Sequence, residues 1–200
     1  MRTHKPALAV VAAMAAALVL VGCGDNGPRA EAAASAGPPS VTAPSQTSSF
    51  NEADVMFAQQ MIPHHQQAIQ MAQMAPSHAQ SPKVRQLAAR IGAAQAQEIK
   101  TMTSWLHAWG KPVPSGMPGM MGSPSPGIVS QQEMSQLMAA HGAQFDRLFL
   151  QMMIRHHEGA VEMAKTEQAR GLNPAAKKLA HQIETSQTAE IAQMQQMLEQ

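Results

Sequence analysis

Residues 50–107 of this chain align without a gap on residues 142–199, a displacement of 92 positions. Matching pairs run through the whole segment: Asp54 with Asp146, Phe57 with Phe149, Met61 with Met153, His64-His65 with His156-His157, and Met71 with Met163. They continue with Pro82 and Pro174, Leu87 and Leu179, Ile91 and Ile183, Glu98 and Glu190, and Met102 and Met194. Such a duplication constrains the fold before any other feature does, because each copy must supply half of a common core.

Each copy reads as two helices. Asp54, Phe57, Met61, His64, His65, Ala68, Met71 and Ala72 recur at spacings of three and four. At 100° per residue they form a stripe of roughly 120°, the width of a helix face turned toward a core. Pro82 and Pro174 stand where a second helix begins, a position at which the missing N–H costs nothing. Val84, Leu87, Ala88, Ile91, Gln95, Glu98, Ile99, Met102 and Leu106 carry the helical period onward. Pro63 falls inside the first stripe, and since residues before it already belong to that stripe, a kinked but continuous helix is expected. Alternating strand patterns are absent.

The expected fold is therefore all-α: two duplicated hairpins (50–108 and 142–200) stacked as a ferritin-like four-helix bundle, with a Pro/Gly-rich crossover at 109–130. Residues 131–141 either begin the third long helix early or form a short one before it.

The N-terminus has a different character. Arg2, His4 and Lys5 precede an apolar run from Ala7 to Val21, which closes with Leu-Val-Gly-Cys at residues 20–23. This order predicts a lipoprotein signal peptide over 1–22, with Cys23 lipidated as the first mature residue. The run is short for a membrane span, which needs about 20 residues. Cys23 is the only cysteine, so neither an internal disulfide nor a thiolate cluster can form. Residues 23–49 are rich in Ala, Pro, Ser, Thr and Gly and read as a flexible tether. The formal net charge is +1, which gives no electrostatic case for nucleic acid. The expected site of action is extracytoplasmic, at a membrane reached through the lipid.

The repeated Met-x-x-His-His sets carry the chemistry. Residues three and four positions after Met61 lie one turn away on the same side, so His64 and His65 flank its thioether, and His156 and His157 flank that of Met153. Imidazole suits several transition metals, whereas thioether sulfur favours soft ions, above all Cu(I). Two adjacent imidazoles on a core-facing stripe, twice over, are a costly way to build a plain core. Met61, His64, His65, Met153, His156 and His157 are accordingly the expected metal ligands, with copper the expected ion. Met71 and Met163 lie too far along their own helices to share that ion with Met61 or Met153 and could line a path or a second site. Met117, Met120 and Met121, in the crossover, are further candidates. Met56, Met102, Met194 and Met197 read as core packing. Asp54 and Asp146 either cap a helix or orient a histidine of another helix.

At Asp54–Ala72 and Asp146–Ala164 the pattern D-x-x-F-x-x-x-M-I-x-H-H followed by A-x-x-M-A resembles the exported bacterial DUF305 family, which includes CopM-like periplasmic copper-binding proteins. The resemblance implies a ferritin-like bundle and a role in copper binding and tolerance, falling on Met61, His64, His65, Met153, His156 and His157. The leading functional expectation is a non-catalytic protein that sequesters or relays Cu(I), with Cu(II) a further candidate, outside the membrane. Two other classes compete. A di-iron oxidase would need Glu-x-x-His on two helices, and no histidine follows Glu98 or Glu190 at that spacing. An envelope interaction module, or a homo-oligomer, would use the histidines as buried polar groups or a pH switch.

Overall fold

The structure, a computed structural model, describes residues 49–115 and 126–200. Signal peptide, Cys23, nearly all of the tether, and Met117, Met120 and Met121 lie outside the described residues. The chain is all-α. Helix α1 spans Glu52–His78, α2 Pro82–Ala108, α3 Gln131–Ala139, α4 Gly142–Arg170 and α5 Pro174–Leu198. Among the described residues the only bridge of β type is an isolated one between Ala79 and Gly142, and no helix is long and apolar enough to cross a membrane.

The helices start where local chemistry tells them to. Asn51 caps α1 by accepting hydrogen bonds from Ala53 N and Asp54 N at 2.9 and 3.2 Å, while its own N–H donates to Asp54 Oδ2 at 2.6 Å. Pro82 and Pro174 occupy the first turns of α2 and α5. Helix α1 runs through Pro63 without interruption. Residues 131–139 form a helix of their own, capped by Ser130 and Glu133, which ends before α4 begins.

Two hairpins, α1–α2 and α4–α5, meet through α1 and α4. They are also buckled at their turns. Asp54, on α1, accepts the N–H groups of Leu172 and Asn173 in the α4–α5 turn, the latter at 2.9 Å. Asp146, on α4, accepts those of Gln80 and Ser81 in the α1–α2 turn, at 3.2 and 2.8 Å. The aspartate of each copy thus secures the turn of the other, satisfying N–H groups that a helix start would leave unpaired.

Inside, the core divides into two apolar clusters. One gathers Met71, Leu87, Ile91, Phe145, Phe149, Met152, Met153 and Met194; the other gathers Phe57, Met61, Ile62, Met102, Leu106, Met163 and Ile183. Burying a side chain such as Phe149 or Leu87 stabilises the fold by about 1.5–3 kcal/mol. Between the clusters along α1 and α4 lie the two histidine pairs, and along α2 and α5 lie Gln95, Glu98, Gln187 and Glu190.

The end of the crossover is seated across α1 and α4 by two unlike residues at equivalent positions of the repeats. The Gln67 amide donates to Val129 O and accepts from Val129 N, both at 2.8 Å. Its counterpart, Gly159, makes room: a Cβ there would lie 2.0 Å from Pro126 O. Helix α3 then lies over α1 and α4, with Leu137 fully buried.

Candidate metal centre

All four histidines of the repeated pairs have no solvent exposure. His64 and His156 face each other across the α1–α4 contact, their ring centroids 3.8 Å apart and their planes inclined by 39°. His65 and His157 turn toward the second helix of their own hairpin, each 6.4 Å from its neighbour's ring.

Every ring is held through the same atom. His65 Nε2 donates to Glu98 Oε2 and His157 Nε2 to Glu190 Oε2, both at 2.7 Å. His64 Nε2 donates to Pro126 O and His156 Nε2 to His64 O, both at 3.0 Å. Carbonyl and carboxylate oxygens only accept, so each Nε2 carries a hydrogen, and a ring that is uncharged keeps its lone pair on Nδ1. All four Nδ1 atoms are buried without a hydrogen-bond partner. A ligating histidine is typically fixed in this way, with its other N–H on a carboxylate or carbonyl that sets the tautomer and raises basicity.

Electrostatics keep the central rings neutral. Burial pushes His64 down to about 3, and the neighbouring His65 and His157 add to the effect against the opposing bond to Pro126 O. Burial likewise holds His156 well below the ordinary histidine value, reinforced by His64, His157 and His65. Desolvation and like charge both disfavour the imidazolium, so the lone pairs stay available at neutral pH.

The thioethers complete the donor chemistry. Met61 and Met153 are fully buried one turn before the histidines. Because α1 and α4 run antiparallel, Met163 joins the cluster of Met61, and Met71 joins that of Met153. Each apolar cluster therefore holds sulfur from both repeats, a pairing that distances along a single helix do not reveal. No three His, Cys, Asp or Glu side chains among the described residues are grouped so as to hold an ion.

Asp54 and Asp146 contact turns, not imidazoles; the carboxylates that reach the histidines are Glu98 and Glu190. Gln95 and Gln187, also buried in the layer, are a second repeated pair whose amides are only partly satisfied: both side-chain polar atoms of Gln95 and Oε1 of Gln187 lack partners. The shared 92-residue displacement was the signal for all four. Met56 departs from its core reading, being 49% exposed.

Fold and site together define a bundle of two fused helical hairpins with a buried His/Met layer at its waist. The chain belongs to the DUF305 family, a domain of unknown function, whose model matches residues 54–198. Among solved structures it is similar to a DUF305 protein of Streptomyces coelicolor named as a candidate secreted protein, at 37% identity over 73% of this chain and 91% of that one, with a TM-score of 0.67. A DUF305 fragment from Deinococcus radiodurans matches at 33% identity over 74% and 96%, with a TM-score of 0.66. CopM in its Cu(I)-bound form matches at 37% identity over 73% and 95%, with a TM-score of 0.62; CopM has also been solved with Cu(II) and with silver. No curated protein matches the chain.

Proposed function

We propose that this chain is a non-catalytic, extracytoplasmic copper-binding protein, tethered to the membrane through a lipid on Cys23, that takes Cu(I) into the histidine layer and sequesters or relays it. The observation that carries this reading is the uniform state of the four rings: Nε2–H committed to an oxygen, Nδ1 buried and unpartnered. Neutral imidazoles and thioethers bring no negative charge of their own. Glu98 and Glu190 supply it from behind the rings, which a buried cation requires. The copper- and silver-bound forms of CopM support the choice of ion. The N-terminal order of basic residues, apolar run and Leu-Val-Gly-Cys supports export and anchoring.

Titration of the protein with Cu(I) against a competing chelator tests the reading. Tight binding is expected, and it should collapse when His64, His65, His156 and His157 are all changed to alanine. Equal binding by the two proteins would remove the histidine layer as the site.

A further inference from the structure

Both tryptophans of the chain, Trp105 and Trp109, sit at one end of the bundle. Their rings lie 6.0 Å apart, and Phe50 stacks on Trp109 at 4.8 Å with the planes inclined by 15°. All three pack on the cluster of Phe57 and Met61 and are only part buried. The α4–α5 turn closes the same end, and Leu172 on it is 52% exposed. Residues 49–51 run between the two: Ser49 O accepts from Asn173 Nδ2 at 3.4 Å, and Asn51 Nδ2 donates to Arg170 O at 2.9 Å. Lys111 and Arg170 flank the patch and outweigh the exposed Glu52 beside them; neither enters an ion pair among the described residues.

The duplication shows that the fold does not require this patch. At the opposite end Gly142 stands in place of Phe50, Met197 in place of Trp105 and Gln80 in place of Leu172. The hairpin turn there is nevertheless secured in the same way, through Asp146. What sets the aromatic end apart is the segment that leads into it: residues 1–48, Cys23 among them, join the domain at Ser49. Tryptophan favours the boundary between headgroups and acyl chains, where its ring is buried while its N–H stays wet. Basic groups beside it meet anionic lipid.

We infer that this end of the bundle docks on the surface of an anionic bilayer, with Phe50, Trp105, Trp109 and Leu172 at the headgroup–acyl boundary and Lys111 and Arg170 against lipid phosphates. The inference rests on the Cys23 anchor proposed above, which brings this end to the membrane, and is independent of the ion bound. A flexible linker of the length of residues 24–48 has a root-mean-square span of roughly 25–30 Å. It holds the patch beside the bilayer at an effective concentration on the order of millimolar, so an affinity too weak to retain a free protein is enough to orient a tethered one. The lipid fixes where the protein is, and the patch fixes which way it points. Helices α1 and α4 then rise from the surface, and the histidine layer stands roughly 20 Å above it, the rise of α1 from Glu52 to His65.

The test uses the full lipidated chain in vesicles of phosphatidylethanolamine and phosphatidylglycerol, prepared with and without bromine on the upper part of the acyl chains. The two tryptophans report the contact, since bromine quenches an indole only on close approach. Flotation with the vesicles reports the anchor separately. The expected result is flotation, loss of tryptophan emission in the brominated vesicles, and protection of that emission from aqueous iodide. Leu172→Gln combined with Lys111→Gln should leave flotation and helix content unchanged and abolish most of the quenching. Both side chains reach the surface, and glutamine already serves at the position equivalent to 172 in the other copy, so this variant folds. If the chain floats and its emission is the same in both kinds of vesicle, the docking is overturned while the anchor stands, and the aromatic end is left to a protein partner. Equal quenching in the double variant overturns the patch as drawn. A chain that does not float overturns the anchor and the docking built on it.

Discussion

At the scale of residues, the carboxylates behind His65 and His157 are the parts of the layer most open to test. Glu98→Gln and Glu190→Gln keep shape and leave an oxygen to accept from Nε2, but they remove the charge. Each substitution is expected to leave helix content unchanged and to lower Cu(I) affinity about 10–100-fold, measured by chelator competition. The two variants should behave alike, because the two contacts have the same length. The Met-x-x-His-His sets were legible in the sequence because their spacing lies within one helix. Glu98 and Glu190 were visible as a repeated pair, yet nothing in a linear pattern says which turn of α2 faces which turn of α1. That register is set by side-chain packing across the hairpin, so histidine and glutamate could be seen separately and not joined.

At the scale of elements, α4 carries two sharp dependences. Gly159→Ala would put a Cβ 2.0 Å from Pro126 O and 2.4 Å from Pro126 C. It is expected to displace the crossover end, free the carbonyl that holds His64, and cost roughly 1–3 kcal/mol by denaturant unfolding. Gly92→Ala on α2 meets only Ala72 Cβ at 3.7 Å, ordinary contact, and should be neutral or gain up to about 1 kcal/mol from helix propensity. The second dependence is Glu167, pushed up to about 8 by burial first and by Asp54 beside it. Burial pushes Asp54 itself up too, but the N–H groups of Asn51, Asn173 and Leu172, together with Glu167, outweigh it and hold that carboxylate below its usual value. An acid whose folded pKa is raised binds its proton more tightly folded than unfolded. Metal-free stability should therefore fall as pH rises from about 4.5 toward 8, by at most about 1.4 kcal/mol per pH unit. Thermal melts across that range should show the fall, and Glu167→Gln should flatten it. A melting temperature with the same pH slope in both proteins would contradict this account. The helices of each hairpin and the proline starts were readable in advance, since they depend on local spacing, whereas local spacing left open whether residues 131–139 join the third long helix or stand apart from it. Hidden from sequence was the use of Gln67 and Gly159, one by bonding and one by yielding space, to seat a segment that lies far from both along the chain.

At the scale of the whole molecule, neither hairpin can cover its own apolar side. Residues of α1 and α4 enter both clusters, so the hairpin of residues 50–110 on its own leaves the α1 stripe bare. Expressed alone, it should be poorly helical by circular dichroism when dilute and should gain helix as concentration rises and copies pair. A monomeric, fully helical hairpin would show that the second copy is dispensable for folding. Such self-pairing also shows what the covalent join makes possible. In a symmetric pair of identical chains, glutamine and glycine could not occupy the two equivalent places beneath the crossover, nor alanine and glutamate those beside the turns. Fusion releases each half from mirroring its sibling. The two sides of one inherited scaffold are then free to specialise.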